Sequence, residues 1–551
     1  MKRIVLLTFI ILIVIASIVG FIHYRRLQPN KKVIAYSDEL YLIVEEQEVE
    51  NENAVLFYED ILYFSLPTVK DFIDEDIFYD EGEEILIITN KEKVLRYKLD
   101  DSIATVNSKE FLTTNNIRKI NEKIYIPIDI ILKNYDVEIN YFEDTNAVVL
   151  DYKDIIYLNG EIILDGAVIR SDLDIKAPII AKDMAIGTIL NVYAEYESWY
   201  KVRTIDGIPG FIEKKYFKIN YTKDLFKVEK PIENNIEDIS KKNINLTWDY
   251  TYRKVKSTEG IAPIVGINTI SPTWFSINDE GNILDKGNIE YVKKYNDLGY
   301  EIWPLINNNF DPDLTHELLS ESSTREKLIM DILELYKYYG FQGINIDFEN
   351  VHLKTKDFLT QFVRELYPVF KEVGMSVSMD VTGISTAENW SLCYDRKRLS
   401  EAVDYMILMA YDQHWATSPV AGSVAEYYWV EKSILGVLEH IPNNKLILGV
   451  PFYTRLWIEK EGKVSSQALS MEMANKFISE NNIDLTWDDK SLQYFGQMEK
   501  DGSMYKIWLE DPRSLEIKAS LVHKYELAGL ASWRKGFETA NIWNSLDKVL
   551  N

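Results

Sequence analysis

From Asn243 to Asn551 the chain repeats one pattern, a short apolar run followed by an amphipathic stretch with helical spacing. The apolar runs are Ile244–Tyr250, Ile261–Ile270, Tyr300–Asn307, Gly343–Glu349, Met375–Thr382, Tyr405–Asp412, Lys445–Tyr453 and Ala528–Trp533. Helical patterns such as Thr324–Tyr338 and Lys356–Val373 lie between them. Eight strand-like runs, each returned by a helix over about 300 residues, predict a (β/α)₈ barrel, because parallel strands need long crossovers. The stretch between Arg455 and Leu527 is too long for one crossover helix. With strand-like pieces at Tyr494–Met498 and Tyr505–Leu509, it predicts a small α+β insertion before the eighth strand.

The fourth run carries the most informative chemistry. Side chains alternate along a strand, so in Gly343-Ile-Asn-Ile-Asp-Phe-Glu349 the residues Ile344, Ile346 and Phe348 face one way and Asn345, Asp347 and Glu349 the other. The apolar set suits packing under the helices. The polar set then rises through the barrel interior to the C-terminal mouth, where barrel enzymes carry their chemistry. Burying three polar groups in a row is costly unless they are hydrogen-bonded or used. Two carboxylates on one face also repel, which raises the pKa of one and keeps it protonated as an acid.

Ahead of the barrel the chain changes character three times. Ile4–Ile22 has no charge and is long enough to cross ~30 Å of hydrocarbon. Ala16-Ser17-Ile18 is a poor cleavage site, which favours a retained transmembrane anchor over a removed signal peptide. Lys2 and Arg3 on one side oppose Arg25, Arg26, Lys31 and Lys32 on the other, so flanking charge alone leaves orientation open. Residues 33–157 alternate Ile/Val/Tyr/Phe runs with acidic turns and read as β-rich, with a helix around Ile128–Asn134. Residues 167–219 hold five short strand-like pieces, including Val168-Ile-Arg170, Gly187–Val192 and Trp199 ahead of an alternating strand. They predict a small β-barrel. Residues 220–242, rich in Lys, Glu and Asn around Pro231, read as a linker.

A net charge of −26 argues against nucleic acid as a partner. The single cysteine, Cys393, excludes an internal disulfide. The six histidines show no paired ligand spacing, so no metal is expected.

The fourth run resembles the strand-four signature of glycoside hydrolase family 18, the chitinase-like family. It keeps the Asp347 and Glu349 pair but has Gln342 and Asn345 where the family's first two aspartates stand. Asn345 followed by Asp-Phe-Glu-Asn resembles the branch of spore-germination and cortex-lytic N-acetylglucosaminidases. Met409-Ala-Tyr-Asp412, Leu448-Gly-Val-Pro-Phe-Tyr453 and Gly529-Leu-Ala-Ser-Trp533 fall on the sixth, seventh and eighth runs and extend the resemblance over 243–551.

The resemblance implies substrate-assisted, retaining hydrolysis of an N-acetylhexosamine glycan, peptidoglycan or chitin-like, without a cofactor. It makes Glu349 the proton donor, Asp347 its proton-sharing partner and holder of the acetamido N–H, and Tyr411, helped by Asp412, the donor to the acetamido oxygen. Trp533 becomes the floor under the reacting sugar. Asn345, Met409, Asp380 and Trp303 join as substrate-binding candidates. Asn268, Trp274, Asn307 and His414-Trp415 are weaker ones. Residues 33–157 resemble the stalk-like domain at the N-terminus of copper amine oxidases, with no histidine and so no copper implied. Residues 167–219 resemble bacterial SH3-type modules, which bind wall peptide or serve as spacers. An anchor, a wall module and a wall-glycan hydrolase together imply a barrel held outside the membrane. The rival readings are a lectin-like barrel that binds sugar without cutting it, and a surface scaffold.

Overall fold

The computed structural model describes residues 2–37, 39–51, 53–155, 157–220, 243–252, 258 and 260–550. The stretch read as a linker lies outside them, apart from Asn220. The chain divides into two compact units, Met1–Ile77 with Lys98–Ile103 and Leu112–Ile239, and Phe78–Tyr97 with Ala104–Phe111 and Ser240–Asn551.

The first unit begins with a helix, Lys2–Leu27, whose Thr8–Arg25 stretch is long and apolar enough to cross a membrane. Two four-stranded sheets follow. One orders Val137–Phe142, Ala147–Tyr152, Tyr41–Val44 and Gln47–Glu48. The other orders Arg118–Ile120, Lys123–Pro127, Ile61–Ser65 and Val55–Tyr58. The helix expected around Ile128–Asn134 is present between Pro127 and Tyr135. A seven-stranded antiparallel sheet closes the unit, with Trp199–Arg203 near its centre and Trp199 buried.

The second unit is the barrel. We number its own elements in chain order. The strands are β1 (Ile244–Asp249), β2 (Thr269–Pro272, continued by Phe275–Ile277), β3 (Glu301–Ile302 and Leu305–Asn307), β4 (Gly343–Asp347), β5 (Ser376–Thr382), β6 (Tyr405–Met409), β7 (Leu446–Pro451) and β8 (Gly529–Trp533). All neighbours pair in parallel, and β8 pairs with both β7 and β1, so the sheet closes on itself. Around it run α1 (Ile289–Asp297), α2 (Pro312–Ser320), α3 (Ser322–Tyr339), α4 (Lys356–Glu372), α5 (Arg396–Glu401), α6 (Tyr427–Leu438), α7 (Pro512–Lys524) and α8 (Ile542–Leu550).

Local chemistry explains the boundaries. Asp311 caps α2 through Asp313 and Leu314, with Pro312 at the first helical position. Gly340 ends α3 in the left-handed conformation. Two strand expectations need correction. Ile261–Val265 is not strand; Pro263 lacks a ladder donor, Gly266 turns at positive φ, and pairing begins only at Thr269. The third run is broken in two at Pro304, which cannot donate to a ladder; its carbonyl accepts from the Asn345 N–H and the Tyr336 hydroxyl.

Between β7 and β8 stands a five-stranded antiparallel sheet, Tyr453–Lys460, Lys463–Ser470, Leu485–Asp488, Gln493–Lys500 and Ser503–Trp508, with a helix at Met471–Asn481. This is the inserted α+β element, larger by three strands than the two pieces legible in the sequence. A second addition comes from far upstream. Phe78–Tyr97 and Ala104–Phe111 belong to the barrel unit, and their sheet packs on α3 and α4. Arg96 donates to Glu365 at 2.6 Å and Arg325 to the same carboxylate at 3.1 Å, all three buried. Removing Glu365 would leave the buried Arg325 guanidinium without its carboxylate, which costs about 3–5 kcal/mol.

Candidate active site

On β4 the two faces separate as the alternation predicts. Ile344, Ile346 and Phe348 join the large apolar core under the helices, where Phe348 stacks on Phe362 of α4 at 5.5 Å. Asn345 and Asp347 point inward. The barrel's lower interior is filled by Leu246, Trp248, Trp303, Leu305, Ile407, Ile447 and Ala531, and the polar residues stand above that layer.

Asn345 is fully buried, and its amide is used on both sides. Its Oδ1 accepts from Trp248 Nε1 at 2.8 Å and Ser271 Oγ at 3.2 Å, and its Nδ2 donates to Asp380 Oδ1 at 2.8 Å. Asp347 is 8% exposed, and its Oδ1 has no hydrogen-bond partner. Burial pushes its carboxyl up to about 7. Glu349 rises well above the ordinary carboxylate range, first through burial and then through Asp347 and Asp412. Asp380 on β5 rises likewise, through burial and then Asp347, with the Asn345 bond opposing. Three carboxyls thus crowd one mouth, and desolvation with mutual repulsion pushes each of them upward.

The backbone of Glu349 is held by a residue that sequence reasoning passed over. Asn308 accepts from the Glu349 N–H at 3.0 Å and donates to the Glu349 carbonyl at 2.7 Å; its Nδ2 also lies 2.9 Å from Thr315 Oγ1 on α2. Tyr394 donates to the Phe348 carbonyl at 2.8 Å. Backbone groups on either side of the acid are therefore fixed by side chains. Asn308 was hidden in the run Asn307-Asn-Asn309, of which only Asn307 stood among the weaker candidates.

Tyr411 leaves β6 at the mouth. Burial raises its phenol well above the usual value, and Asp380, Asp347 and Glu349 add to the shift, which places all three within its electrostatic reach. Asp412 turns at φ 58° and accepts from Tyr453 at 2.6 Å and Arg455 at 2.9 Å, both from the insertion's first strand. Trp533, at the end of β8, meets Trp248 edge-on at 5.7 Å and Tyr250 at 6.3 Å. Met409 lies on the inner parity of β6, two residues beyond Ile407 of the lower layer.

Trp303 does not join this group. Leu305 pairs with Asn345, so Trp303 lies two residues lower, against Gly343, where it is 1% exposed and stacked on Tyr405 at 5.7 Å. It is floor packing of the barrel's N-terminal end, a correction to its reading as a substrate contact. Trp274 is likewise buried among Tyr291, Tyr339 and Phe341, and Asn268 bonds the β1 backbone near Asn245. His414 holds the Ser423 carbonyl at 2.8 Å, and Trp415 is 52% exposed.

The rim holds a second pair that the sequence did not advertise. Phe310, 48% exposed, and Trp390, 43% exposed, lie 6.5 Å apart with planes inclined by 33°. Asn350, directly after Glu349, donates to the Phe310 carbonyl at 2.8 Å and accepts from Asn389 at 3.2 Å. The two rings come from loops on either side of β4.

A closed parallel barrel with carboxyls clustered at its C-terminal mouth has them where barrel enzymes carry their chemistry, and comparison with known proteins points to a glycosidase. Residues 315–537 match the model of Glycosyl hydrolases family 18. Residues 43–150 match the Copper amine oxidase N-terminal domain. The chain is 25% identical over 297 residues to the uncharacterised glycosylase YvbX of Bacillus subtilis, covering 51% of this chain and 84% of that protein. It is 26% identical over 253 residues to the Cortical fragment-lytic enzyme of the same organism, covering 45% of this chain and 58% of that one. A crystal structure of a chitinase from Chromobacterium violaceum shares the fold with a TM-score of 0.50 at 20% identity, over 56% of this chain and 99% of that one.

Proposed function

We propose that this chain hydrolyses an N-acetylhexosamine glycan by substrate-assisted, retaining catalysis, with Glu349 as acid. The single observation that carries the reading is the cluster of buried carboxyls at the mouth of β4, where burial and then Asp347 push Glu349 well above the usual carboxylate range. Glu349 gives its proton to the glycosidic oxygen as the bond from C1 to that oxygen breaks. The substrate's acetamido oxygen attacks C1 from the other face, forming a bicyclic oxazolinium ion. Asp347 accepts from the acetamido N–H as positive charge develops there. Tyr411 donates to the acetamido oxygen and orients it for attack, with Asp412 beside it. Water, deprotonated by the Glu349 carboxylate, then attacks C1, opens the ring and leaves the anomeric configuration retained. Trp533, Met409, Asp380 and Asn345 shape the pocket around the reacting sugar.

The favoured glycan is that of the cell wall, supported by similarity to a protein named a cortical fragment-lytic enzyme. The apolar helix Lys2–Leu27 acts as a single-pass membrane anchor in this reading, with the barrel outside. The sheet over residues 158–219 serves as an SH3-like module that engages wall peptide or spaces the enzyme from the membrane.

Glu349→Gln tests the reading. Turnover of N-acetylglucosamine oligomers should fall ~1,000-fold, the range of a lost general acid, while oligomer binding by calorimetry persists. Unchanged turnover would overturn it.

A further inference from the structure

Directly after Trp533 the chain carries a cation that no described carboxylate binds. Arg534 is rooted on both sides: the Trp533 carbonyl accepts from the Phe452 N–H at 2.6 Å, and the Lys535 N–H donates to the Trp248 carbonyl at 2.9 Å. Its Cζ lies 4.4 Å from the Tyr250 ring centre and 3.9 Å from that of Phe537. Tyr250 is 43% exposed and in turn meets the Trp533 ring edge-on at 6.3 Å. One ring therefore stands between this guanidinium and the ring proposed to floor the reacting sugar. Every other described arginine of the barrel unit has an ion pair or donates a hydrogen bond, Arg325 to Glu365 and Arg455 to Asp412 among them. The carboxylate within electrostatic reach of Arg534, Asp249, is already taken. It accepts from Lys535 Nζ at 2.6 Å and from the Tyr291 hydroxyl at 2.5 Å.

Ring faces hold a guanidinium by cation–π attraction and leave its planar N–H fork to meet a second planar group. The rings fix the orientation before a ligand arrives, so little side-chain freedom is lost on binding. The group that fits such a fork is a carboxylate, held by two parallel N–H···O bonds. The rest of the mouth repels that charge, since Asp347, Glu349, Asp380 and Asp412 are carboxyls and the nearby Arg455 and Lys535 are each paired to one. Resting on the hydrolase reading, we infer that Arg534 selects for an acidic glycan, its guanidinium binding a carboxylate on or beside the sugar over Trp533. Two sources share this chemistry, the lactyl acid of peptide-free N-acetylmuramic acid and a carboxylate of the peptide joined to it. Either makes a wall glycan a better substrate than an uncharged chitin-like chain. Arg534 sets specificity and takes no part in bond breaking.

The test uses the full chain. Peptide-free and peptide-bearing wall glycan strands are each assayed with their carboxylates free and amidated, beside N-acetylglucosamine oligomers. KM should lie ~5-fold to ~10-fold lower for free carboxylates than for amidated ones, the range of a charge-assisted hydrogen bond at a partly exposed site. Arg534→Met keeps an apolar stem on Tyr250 and Phe537. It should raise KM on the acidic strands to the amidated level, while kcat and KM on the neutral oligomers stay within ~2-fold. Arg534→Lys keeps the charge without the fork and should fall between. Salt at ~1 M should narrow the wild-type gap, because the screening length drops to ~3 Å. A gap confined to peptide-free strands assigns the lactyl acid, and one confined to peptide-bearing strands assigns the peptide. No gap, a gap that survives in Arg534→Met, or equal losses on acidic and neutral strands would overturn the inference. Calorimetry in Glu349→Gln reads the same gap in binding without turnover. If the wild type cleaves none of the strands, the hydrolase reading falls and the binding gap still decides Arg534. If it cleaves all of them with one KM, this inference falls alone.

Discussion

The two ends of one barrel strand are built to opposite rules. At the lower end of β4, a Cβ added to Gly343 would meet Trp303 at 2.6 Å and the Ser376 carbonyl at 2.8 Å, and the Trp303 indole N–H is bonded to Glu301. Two residues above, Asn345 uses its whole amide. Two above that, Asp347 is buried with an unpartnered oxygen, and Glu349 stands beside it against like charge. The lower end is densely packed, so substitutions there should be read in stability. The upper end is strained electrostatically, so substitutions there should be read in rate. Folding free energy is spent where the reaction needs protons held out of place.

Four substitutions sharpen or break that contrast. The largest effect belongs to Glu349→Gln, whose kcat should fall ~1,000-fold with no loss of melting temperature. An accompanying collapse in stability would show that the acid is also structural. Next comes Trp303→Ala, which should cost about 3–5 kcal/mol in denaturant unfolding, as for other buried aromatics, while the folded fraction keeps its kcat. A selective loss of kcat there would return Trp303 to the site.

The third concerns pH. The Asp347 carboxyl stands at about 7 in the fold, above its unfolded value of about 4, so the folded state binds the extra proton between them. Stability from this group is fully present below about pH 4 and is lost as pH rises through about 7. Asp347→Asn should flatten that slope and gain a few kcal/mol above neutrality while losing activity. Chemical denaturation across pH reads it directly, and an unchanged slope would contradict the burial of that carboxyl. The smallest effect is Trp390→Ala. If the Phe310 and Trp390 rings contact a sugar, KM should rise ~3-fold to ~10-fold with kcat held, in line with stacking on an aromatic face.

Much of this was legible because strand parity is a rigid rule. Alternation from Ile344 to Glu349 was enough to place three side chains under the helices and three inside, and the crossover pattern was enough to call a barrel. Height along the barrel was not legible. Trp303 sits on a run that Pro304 breaks, and only the pairing of Leu305 with Asn345 shows that it lies below the site. Contacts between distant segments were hidden for a different reason. Asn308 grips Glu349 from 41 residues away, and Arg96 reaches Glu365 across 269, and no local pattern encodes such pairings. Asp380 was visible as a polar residue in an apolar strand, but its hydrogen bond from Asn345 needed the register of β4 against β5.

The central claim is that the substrate's own acetamido group attacks the anomeric carbon at a mouth that supplies an acid and no nucleophile. Turnover of an N-acetylglucosamine oligomer should therefore be compared with that of the same oligomer after removal of its acetyl groups, together with the anomer first released, by proton NMR. The account predicts hydrolysis of the acetylated chain with retained configuration and none of the deacetylated one. Equal cleavage of both, or an inverted first product, would contradict it.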